Sequence, residues 1–270
     1  MKAIILGAGQ GKRLLPLTQN VPKSLLKLDS GMSILGWQLT QLADAGYQEA
    51  VVVSGFQAPK IRKEIQKYQS VIKVREVFNP FYNLADNLGS VWAARHHMTG
   101  NFVLLNGDTL FSKTVAERLR RSNGWDVTLT IARKEYYDDD DMKVTTHNDR
   151  LQSVGKKLDR SVVNGESIGM MKFSGNGVES FVRNVSKIME TEDGLKMWYL
   201  SVLDKMAKSG QVGTLEVDQS QWCEVDFPVD YKMACEKVTL WEKSQVEEDL
   251  TDNTGSEDAQ SEETQTGDAQ

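Results

Sequence analysis

The sequence predicts an α/β fold, in which a mostly parallel, mixed β-sheet is flanked by helices and carries a smaller antiparallel lobe. In the first 125 residues, short apolar runs alternate with segments whose apolar residues recur at helical spacing. This order is typical of parallel strands covered by helices. From Asp126 onward, strand-like segments follow one another with few helices between them, which indicates antiparallel pairing. With 270 residues, 40% of them hydrophobic, the chain is long enough for one large domain or two small ones.

The elements of the first part follow in order from the N-terminus. A short apolar strand over residues 2–6 ends in glycines, and the run Glu-Ala-Val-Val-Val-Ser over 49–54 predicts a second buried strand. Further strands are expected over 72–77 and 101–106. Helices are expected over 34–45, 61–68 and 88–97, where apolar residues recur at helical spacing. The alternation predicts a Rossmann-like half that spans about residues 1–125.

In the second part of the chain, from residue 126 onward, predicted strands follow one another with few predicted helices between them. Strands are expected over 127–132, 142–146, 151–154 and 168–173, and helices near 196–206 and 229–237 close the domain. One domain over residues 1–242 is therefore predicted, with halves at about 1–125 and 126–242. Residues 243–270 are rich in Glu, Asp, Thr, Ser and Gln and lack aromatic residues, so a disordered acidic tail is expected there.

Charge and composition exclude several classes of function. The net charge is −6, but nine acidic residues lie from Glu247 onward, so the rest of the chain is mildly basic. That charge suits an anionic substrate and lacks the dense basic face of a nucleic-acid binder. No apolar run is long enough to predict membrane insertion, and no secretory signal opens the chain. The two cysteines, Cys223 and Cys235, are not in CxxC spacing, so a reduced, cytoplasmic protein without disulfides or zinc is expected.

A glycine-rich loop with three nearby cations follows the first strand. The dinucleotide fingerprint GxGxxG would require glycine at Lys12, and a Walker A loop would require Ser or Thr at Arg13, so neither motif fits. Glycines at alternate positions 7, 9 and 11 let the backbone approach a triphosphate and offer it N–H groups. Lys12, Arg13 and Lys23 bring positive charge to the same phosphates.

Two aspartates are candidate ligands of a Mg²⁺ ion. Asp108 follows the strand at 101–106, at the carboxyl end where open α/β sheets bind ligands. Asp226, in the segment Trp-Cys-Glu-Val-Asp-Phe-Pro before the last helix, is a candidate through the family resemblance described next. Mg²⁺ prefers oxygen ligands and retains several waters, so one or two carboxylates suffice. Asp230 is better explained as a first-turn charge of the helix that begins near Pro228.

The order Gly7-x-Gly9-x-Gly11-x-Arg13-x-x-Pro16-x-Thr18, followed by Pro22-Lys23, resembles the nucleotidyltransferase superfamily that makes nucleotide sugars and CDP-alcohols. The resemblance implies that the loop holds NTP phosphates and that Lys23 contacts phosphate at the reaction centre. It also implies that Asp108 and Asp226 bind Mg²⁺, and that the halves of the domain bind the NTP and a phosphorylated acceptor. The implied catalytic residues are Arg13, Lys23, Asp108 and Asp226. The implied nucleotide-binding residues are Leu6, Gly7, Ala8, Gly9, Gly11, Lys12, Arg13, Asn87, Ser90 and Gly107.

Two stretches in the middle of the chain indicate which branch of the superfamily it resembles. The stretches Asn79-Pro80-Phe81-Tyr82-Asn83 and Asp86-Asn87-Leu88-Gly89-Ser90 are similar to the phosphocholine and phosphonate cytidylyltransferase branch. Asn87 and Ser90 would then face the nucleotide, although Asn87 also fits as a helix N-cap. The candidate acceptor-binding residues are Lys143, Lys156 and Lys157 for the phosphate, Glu166 for a polar or cationic head group, and Trp198 and Tyr199 for a quaternary ammonium. Core packing is the competing explanation for the aromatic pair.

Three functions stay open at this point. The first is transfer of CMP from CTP to a small phosphorylated acceptor, such as phosphocholine or a phosphonate, with release of pyrophosphate. The second is a hexose-1-phosphate nucleotidylyltransferase, which Gly107-Asp108 in place of Asp-Ala-Asp favours slightly. The third is an inactive nucleotide-binding regulator, which the presence of all four implied catalytic residues disfavours. The expected partners are an NTP and the acceptor, without nucleic acid, and a homo-oligomer stays open.

Overall fold

A nine-stranded mixed sheet forms the centre of the molecule. The computed structural model describes the backbone of residues 1–262 and the side chains of residues 1–245. The strand order across the sheet is β3-β2-β1-β4-β9-β6-β10-β8-β7. Its strands are β1 (Lys2–Leu6), β2 (Glu49–Ser54), β3 (Lys73–Phe78), β4 (Phe102–Asn106), β6 (Val127–Ala132), β7 (Lys143–His147), β8 (Arg150–Gly155), β9 (Gly165–Phe173) and β10 (Val212–Glu216), while β5 (Thr109–Phe111) and β11 (Trp222–Glu224) form a second, antiparallel sheet.

The sheet has a parallel part and a mostly antiparallel part. Strands β3, β2, β1 and β4 are parallel neighbours, with Lys2 of β1 paired to Glu49 of β2 and to Phe102 of β4. Strand β9 is antiparallel to both β4 and β6. In the β7–β8 hairpin, β8 pairs with β10, and the first two residues of β7 pair with the first two residues of β9. The predicted antiparallel lobe is therefore continuous with the parallel sheet.

Helices cover both faces of this sheet. They are α1 (Ile34–Asp44), α2 (Ala58–Ile65), α3 (Asn87–Ala93), α4 (Lys113–Arg121), α5 (Gly175–Met189), α6 (Leu200–Lys208) and α7 (Pro228–Glu262). Apolar residues of α3, α5 and α6 form one core cluster with alternate residues of the strands. Those of α1, α2 and α4 form the other cluster on the opposite face, because successive strand residues point to opposite sides.

A third core cluster joins the last helix to the first part of the chain. Trp241 of α7 stacks on Trp37 of α1 with ring centroids 6.0 Å apart. The indole N–H of Trp37 donates to the carbonyl of Phe111, and that of Trp241 donates to the carbonyl of Ser220. Helix α7 is thereby fixed beside the small β5–β11 sheet.

The α/β prediction is confirmed, with differences in single elements. Strands β1 and β2 have their predicted bounds, whereas α4, α5, β5, β10 and β11 were not predicted. Helix α7 continues to Glu262 and so includes residues 243–262 of the segment for which a disordered tail is expected; the disorder of that tail stays a prediction. The remainder of the tail, 263–270, lies outside the described residues. Among the described helices, none combines the length and hydrophobicity needed to cross a bilayer.

Candidate active site

The glycine-rich loop is held against the end of β4 by a close backbone approach. The N–H of Gly107 donates to the carbonyl of Leu6 over 3.1 Å. A Cβ at Gly107 would lie only 2.6 Å from that carbonyl oxygen, so any larger residue would separate the loop from β4. Gly11 has a φ of +73°, and a Cβ there would meet the Cβ of Lys23 at 2.8 Å. Glycine at these two positions therefore brings the loop, Lys23 and the residue after Gly107 together.

That residue, Asp108, belongs to a compact cluster of charges. The Nζ of Lys23 lies 2.7 Å from Oδ2 of Asp108 and 2.6 Å from Oδ1 of Asp226. Nη2 of Arg13 lies 2.7 Å from the other carboxylate oxygen of Asp226. Burial by itself lowers the pKa of Lys23, but the two aspartates outweigh it and raise the pKa above the usual value. All four candidate catalytic residues thus meet at one point.

The small β5–β11 sheet explains how Asp226 reaches Asp108 from so far along the chain. Its register pairs Glu224 with Thr109, the residue after Asp108. The N–H of Val225 donates to the carbonyl of Asp108 over 3.2 Å. The carboxylate of Asp230 accepts hydrogen bonds from the N–H groups of Asp226 and Phe227, as a residue in the first turn of a helix does.

Glu224 is a member of the site that the sequence reasoning missed. Carboxylate oxygens of Asp108, Glu224 and Asp226 lie within 4.8 Å of one another. The Glu224 side chain is exposed, and it lines the wall of the cavity described below. Displacement of water by the surrounding protein and the negative charges of Asp108 and Asp226 raise the pKa of Glu224 to about 8.

The three carboxylates fit a divalent cation. They supply only oxygen ligands, as Mg²⁺ prefers. In addition, Oδ1 of Asp108 is buried and lacks a hydrogen-bond partner among the described residues. A buried acceptor without a partner is unusual, and a metal ion would supply one. The donor set therefore suits the ion that the sequence predicts, with Glu224 as a further candidate ligand.

Two adjoining cavities open beside the cluster. The central cavity has a volume of about 390 Å³, and its wall includes Leu6, Gly9, Arg13, Asn87, Asn106, Gly107, Asp108, Glu224 and Asp226. The second cavity, of about 670 Å³, lies against β7, β8 and the start of α6. The two cavities share Met142, Lys156, Trp198 and Leu200, so one ligand can extend from the first into the second.

The predicted nucleotide-binding residues fall into two groups. Leu6, Gly9, Arg13, Asn87 and Gly107 line the central cavity, and a Cβ at Gly9 would meet no atom within 4 Å, so the backbone there faces open space. Gly11 and Lys12 line a further cavity of about 530 Å³ on the other side of Arg13, whereas Gly7 and Ala8 pack behind the loop, against Val53 and Phe56. Their roles in binding stay predictions.

Ser90 does not face either cavity, contrary to expectation. It is buried, and its hydroxyl accepts a hydrogen bond from Nδ2 of Asn79. Asn87 does reach the central cavity, but its Oδ1 accepts the backbone N–H of Tyr199 over 2.9 Å. Asn87 is also not the N-cap of α3, since Asp86 occupies that position. Ser90 and Asn79 thus fasten α3 to the preceding loop.

The predicted acceptor residues are only partly brought together. Lys143, Lys156, Lys157 and Trp198 line the second cavity. Tyr199 does not: it is fully buried, and its hydroxyl donates to Oδ1 of Asn106. An aromatic wall made of both rings is therefore excluded, because only Trp198 faces the cavity.

Glu166 is also placed differently from the prediction. It is buried on β9, where its carboxylate lies 2.8 Å from Nζ of Lys134 and accepts a hydrogen bond from Gln219. Burial raises its pKa, against the opposing effect of Lys134. Both carboxylate oxygens are thus engaged within the protein, and Glu166 lines neither cavity.

A family model described as nucleotidyl transferase matches residues 2–142, which include the glycine loop, Lys23 and Asp108. The chain belongs to this family. The match ends at Met142, directly before β7. It therefore does not include the later residues of the second cavity or the segment with Glu224 and Asp226.

Individual relatives cover more of the chain. It is 28% identical over 239 residues to the bifunctional IPC transferase and DIPP synthase of Aquifex aeolicus, covering 86% of this chain and 50% of that protein. It is 24% identical over 234 residues to the choline-phosphate cytidylyltransferase of Streptococcus pneumoniae, covering 86% and 96%. The inositol-1-phosphate CTP transferase of T. maritima has the same fold, with a TM-score of 0.73, 22% identity and coverage of 88% and 95%.

Proposed function

We propose that this nucleotidylyltransferase transfers CMP from CTP to a small phosphorylated acceptor and releases pyrophosphate. The observation that carries the proposal is the cluster of Arg13 and Lys23 with three carboxylates, which opens into a second, cation-lined cavity. Such a site can hold two phosphorylated ligands next to each other. The relatives that cover most of the chain and are named for CTP or cytidylyl transfer support the choice of nucleotide.

The reaction needs alignment and charge more than covalent chemistry from the protein. An oxygen of the acceptor phosphate would attack the α-phosphorus of the nucleotide, in line with the bond to the departing pyrophosphate. Backbone N–H groups of the glycine loop would orient the phosphates, and Arg13 and Lys23 would exchange carboxylate for phosphate oxygens. No general base is required, because the acceptor phosphate is already ionised.

Asp108, Asp226 and Glu224 would hold Mg²⁺, whose chemistry is to neutralise negative charge on the phosphates. The ammonium of Lys23 lies between two of these carboxylates and limits their repulsion. We further propose that residues 1–125 bind the nucleotide and residues 126–242 the acceptor. The chain spans half of the Aquifex aeolicus protein, so the full activity of that protein is not proposed for this chain.

The test is pyrophosphate release with Mg²⁺, in which four NTPs are crossed with phosphocholine, aminoethylphosphonate, inositol phosphate and hexose 1-phosphates. We expect turnover with CTP that Asp108→Asn abolishes and that Asp193→Asn, an exposed residue outside both cavities, leaves intact. Turnover only with a hexose 1-phosphate would replace the acceptor class by sugar phosphates. Nucleotide binding by calorimetry without any turnover would favour a regulator instead.

A further inference from the structure

The second cavity has an uneven distribution of charge. Among the residues that the structure describes, five charged side chains line it, and four of them are cations. They are Asp139, Lys143, Lys156, Lys157 and Arg160. The one acid, Asp139, already forms an ion pair with Arg160 at 2.5 Å. An incoming ligand would therefore meet mostly positive charge.

Two of the cations have no carboxylate partner within the described part of the chain. Lys143 is 1% exposed, and its Nζ donates only to backbone carbonyls, at 3.2 Å to Lys156 and 3.5 Å to Asp141. Lys157 is exposed, and none of the described acids forms an ion pair with it. A buried ammonium with two long hydrogen bonds is incompletely compensated for its loss of water, and a bound anion would supply the missing partner.

The same cavity is poorly suited to a quaternary ammonium. Nζ of Lys156 lies 4.8 Å from the centre of the Trp198 ring, so a cation of the protein already occupies that aromatic face. Lys156 also pairs with Asp140 at 3.3 Å. A choline head group would have to displace Lys156 and would find no free carboxylate among the described residues that line the cavity.

We propose that the acceptor carries a second anionic group, a carboxylate or a further phosphate, at the end away from the reacting phosphate. This inference rests on the proposed function. The reacting phosphate lies at the boundary of the two cavities, beside Lys156, and the second anion binds Lys157 and Lys143. Positive charge around this end selects the acceptor, since a cationic head group would be repelled.

The experiment compares three acceptors of matched size: phosphoglycolate with an anionic end, 2-hydroxyethyl phosphate with a neutral end, and phosphoethanolamine with a cationic end. Pyrophosphate release with CTP and Mg²⁺ gives kcat/KM for each, and calorimetry gives their affinities for the protein alone. One charge-assisted contact corresponds to about tenfold in affinity, so we expect phosphoglycolate to exceed the neutral ester by about tenfold in both measurements.

The variants test whether Lys157 causes this preference. Lys157→Gln should reduce the ratio of phosphoglycolate to 2-hydroxyethyl phosphate to about twofold, and Lys157→Arg should retain most of it. Lys187→Gln, an exposed lysine on α5 outside both cavities, is the matched control and should leave the ratio unchanged.

The outcomes separate the two proposals. Equal or stronger binding of the neutral or cationic ester, or a ratio that Lys157→Gln does not alter, would overturn the anionic acceptor and leave nucleotide transfer intact. Absence of turnover with every NTP and acceptor would instead contradict the proposed function. The calorimetric order of the three esters would still decide the charge preference of the cavity.

Discussion

The position of Lys23 gives the sharpest test of the charged cluster. Its side chain is 12% exposed, and its ammonium lies within 2.7 Å of both Asp108 and Asp226. Lys23→Met keeps most of the length of the side chain but removes the charge. The carboxylates of Asp108 and Asp226, whose oxygens lie within 4.8 Å of each other and of Glu224, then face each other without the central cation. We therefore expect the protein without divalent ions to lose stability.

The size of the expected stability loss depends on how deeply Lys23 and its two aspartate partners are buried. Removing one partner of a buried ion pair costs about 3–5 kcal/mol. Asp108 and Asp226 keep 23% and 20% of their side-chain surface exposed, so the lower end of that range applies. At roughly 2–4 °C per kcal/mol for a domain of this size, the melting temperature should fall by about 6–12 °C.

A divalent cation should reverse much of this loss, because it can take over the neutralisation of the carboxylates. A ligand at 100 times its Kd stabilises the folded state by about 2.7 kcal/mol. Melting is measured with and without MgCl₂, with NaCl at matched ionic strength to separate binding from screening. Lys23→Met should gain more from Mg²⁺ than the unaltered protein does, and the control Lys187→Met should behave as the unaltered protein. The reasoning is refuted if Lys23→Met melts normally without Mg²⁺, or if Mg²⁺ stabilises both proteins equally.

Three further changes probe the supports of the site. Gly107→Ala forces a Cβ to 2.6 Å from the Leu6 carbonyl, so unfolding by denaturant should show a loss of about 1–3 kcal/mol together with lower kcat; unchanged kcat would mean that the loop tolerates displacement. Asp140→Asn removes an exposed contact 3.6 Å from Arg13, and the KM for CTP should fall by up to about fivefold; a rise would show that Asp140 assists binding. Trp241→Ala removes the stack on Trp37 and should lower the free energy of unfolding by about 2 kcal/mol in the same denaturant assay. An unchanged free energy of unfolding would show that the packing of α7 on α1 does not stabilise the protein.

The parts of the site that could be predicted from sequence depend on local signals. Strand β1 and its glycines form a short apolar run followed by a turn, and β4 with Gly107 and Asp108 repeats that pattern. In a parallel sheet, carboxyl ends of neighbouring strands lie together, so the proximity of these two turns follows from topology. Asp226 could be assigned only through the resemblance to a family, because nothing local indicates its partner.

Glu224 and α5 were missed although the sequence contains a signal for each. Glu224 and Asp226 are two residues apart at the end of an extended segment, where side chains at that spacing point to the same side. On α5, Val178, Phe181 and Val185 recur at helical spacing, which predicts a buried helix face. Both could have been found by counting periodicity.

The different exposure of Trp198 and Tyr199 could not have been predicted from periodicity. The two aromatic residues are adjacent, yet Trp198 is 38% exposed and Tyr199 is fully buried. The difference arises from Asn106 on β4 and Asn87 on α3, which bond to the hydroxyl and backbone of Tyr199. Contacts between elements so distant in the sequence leave no local pattern.

The charged cluster depends on both ends of the folded chain. Lys23 comes from the loop after β1, and Asp226 follows β11, immediately before α7. Helix α7 is held on α1 by the stack of Trp241 on Trp37 and by a hydrogen bond between Gln245 and Gln41. Because Asp226 is one of the carboxylates that neutralise Lys23, loosening of α7 would leave Lys23 and Asp108 without their common partner. Packing of the last helix and assembly of the charged cluster are therefore coupled, and a ligand that stabilises the cluster also stabilises the attachment of α7.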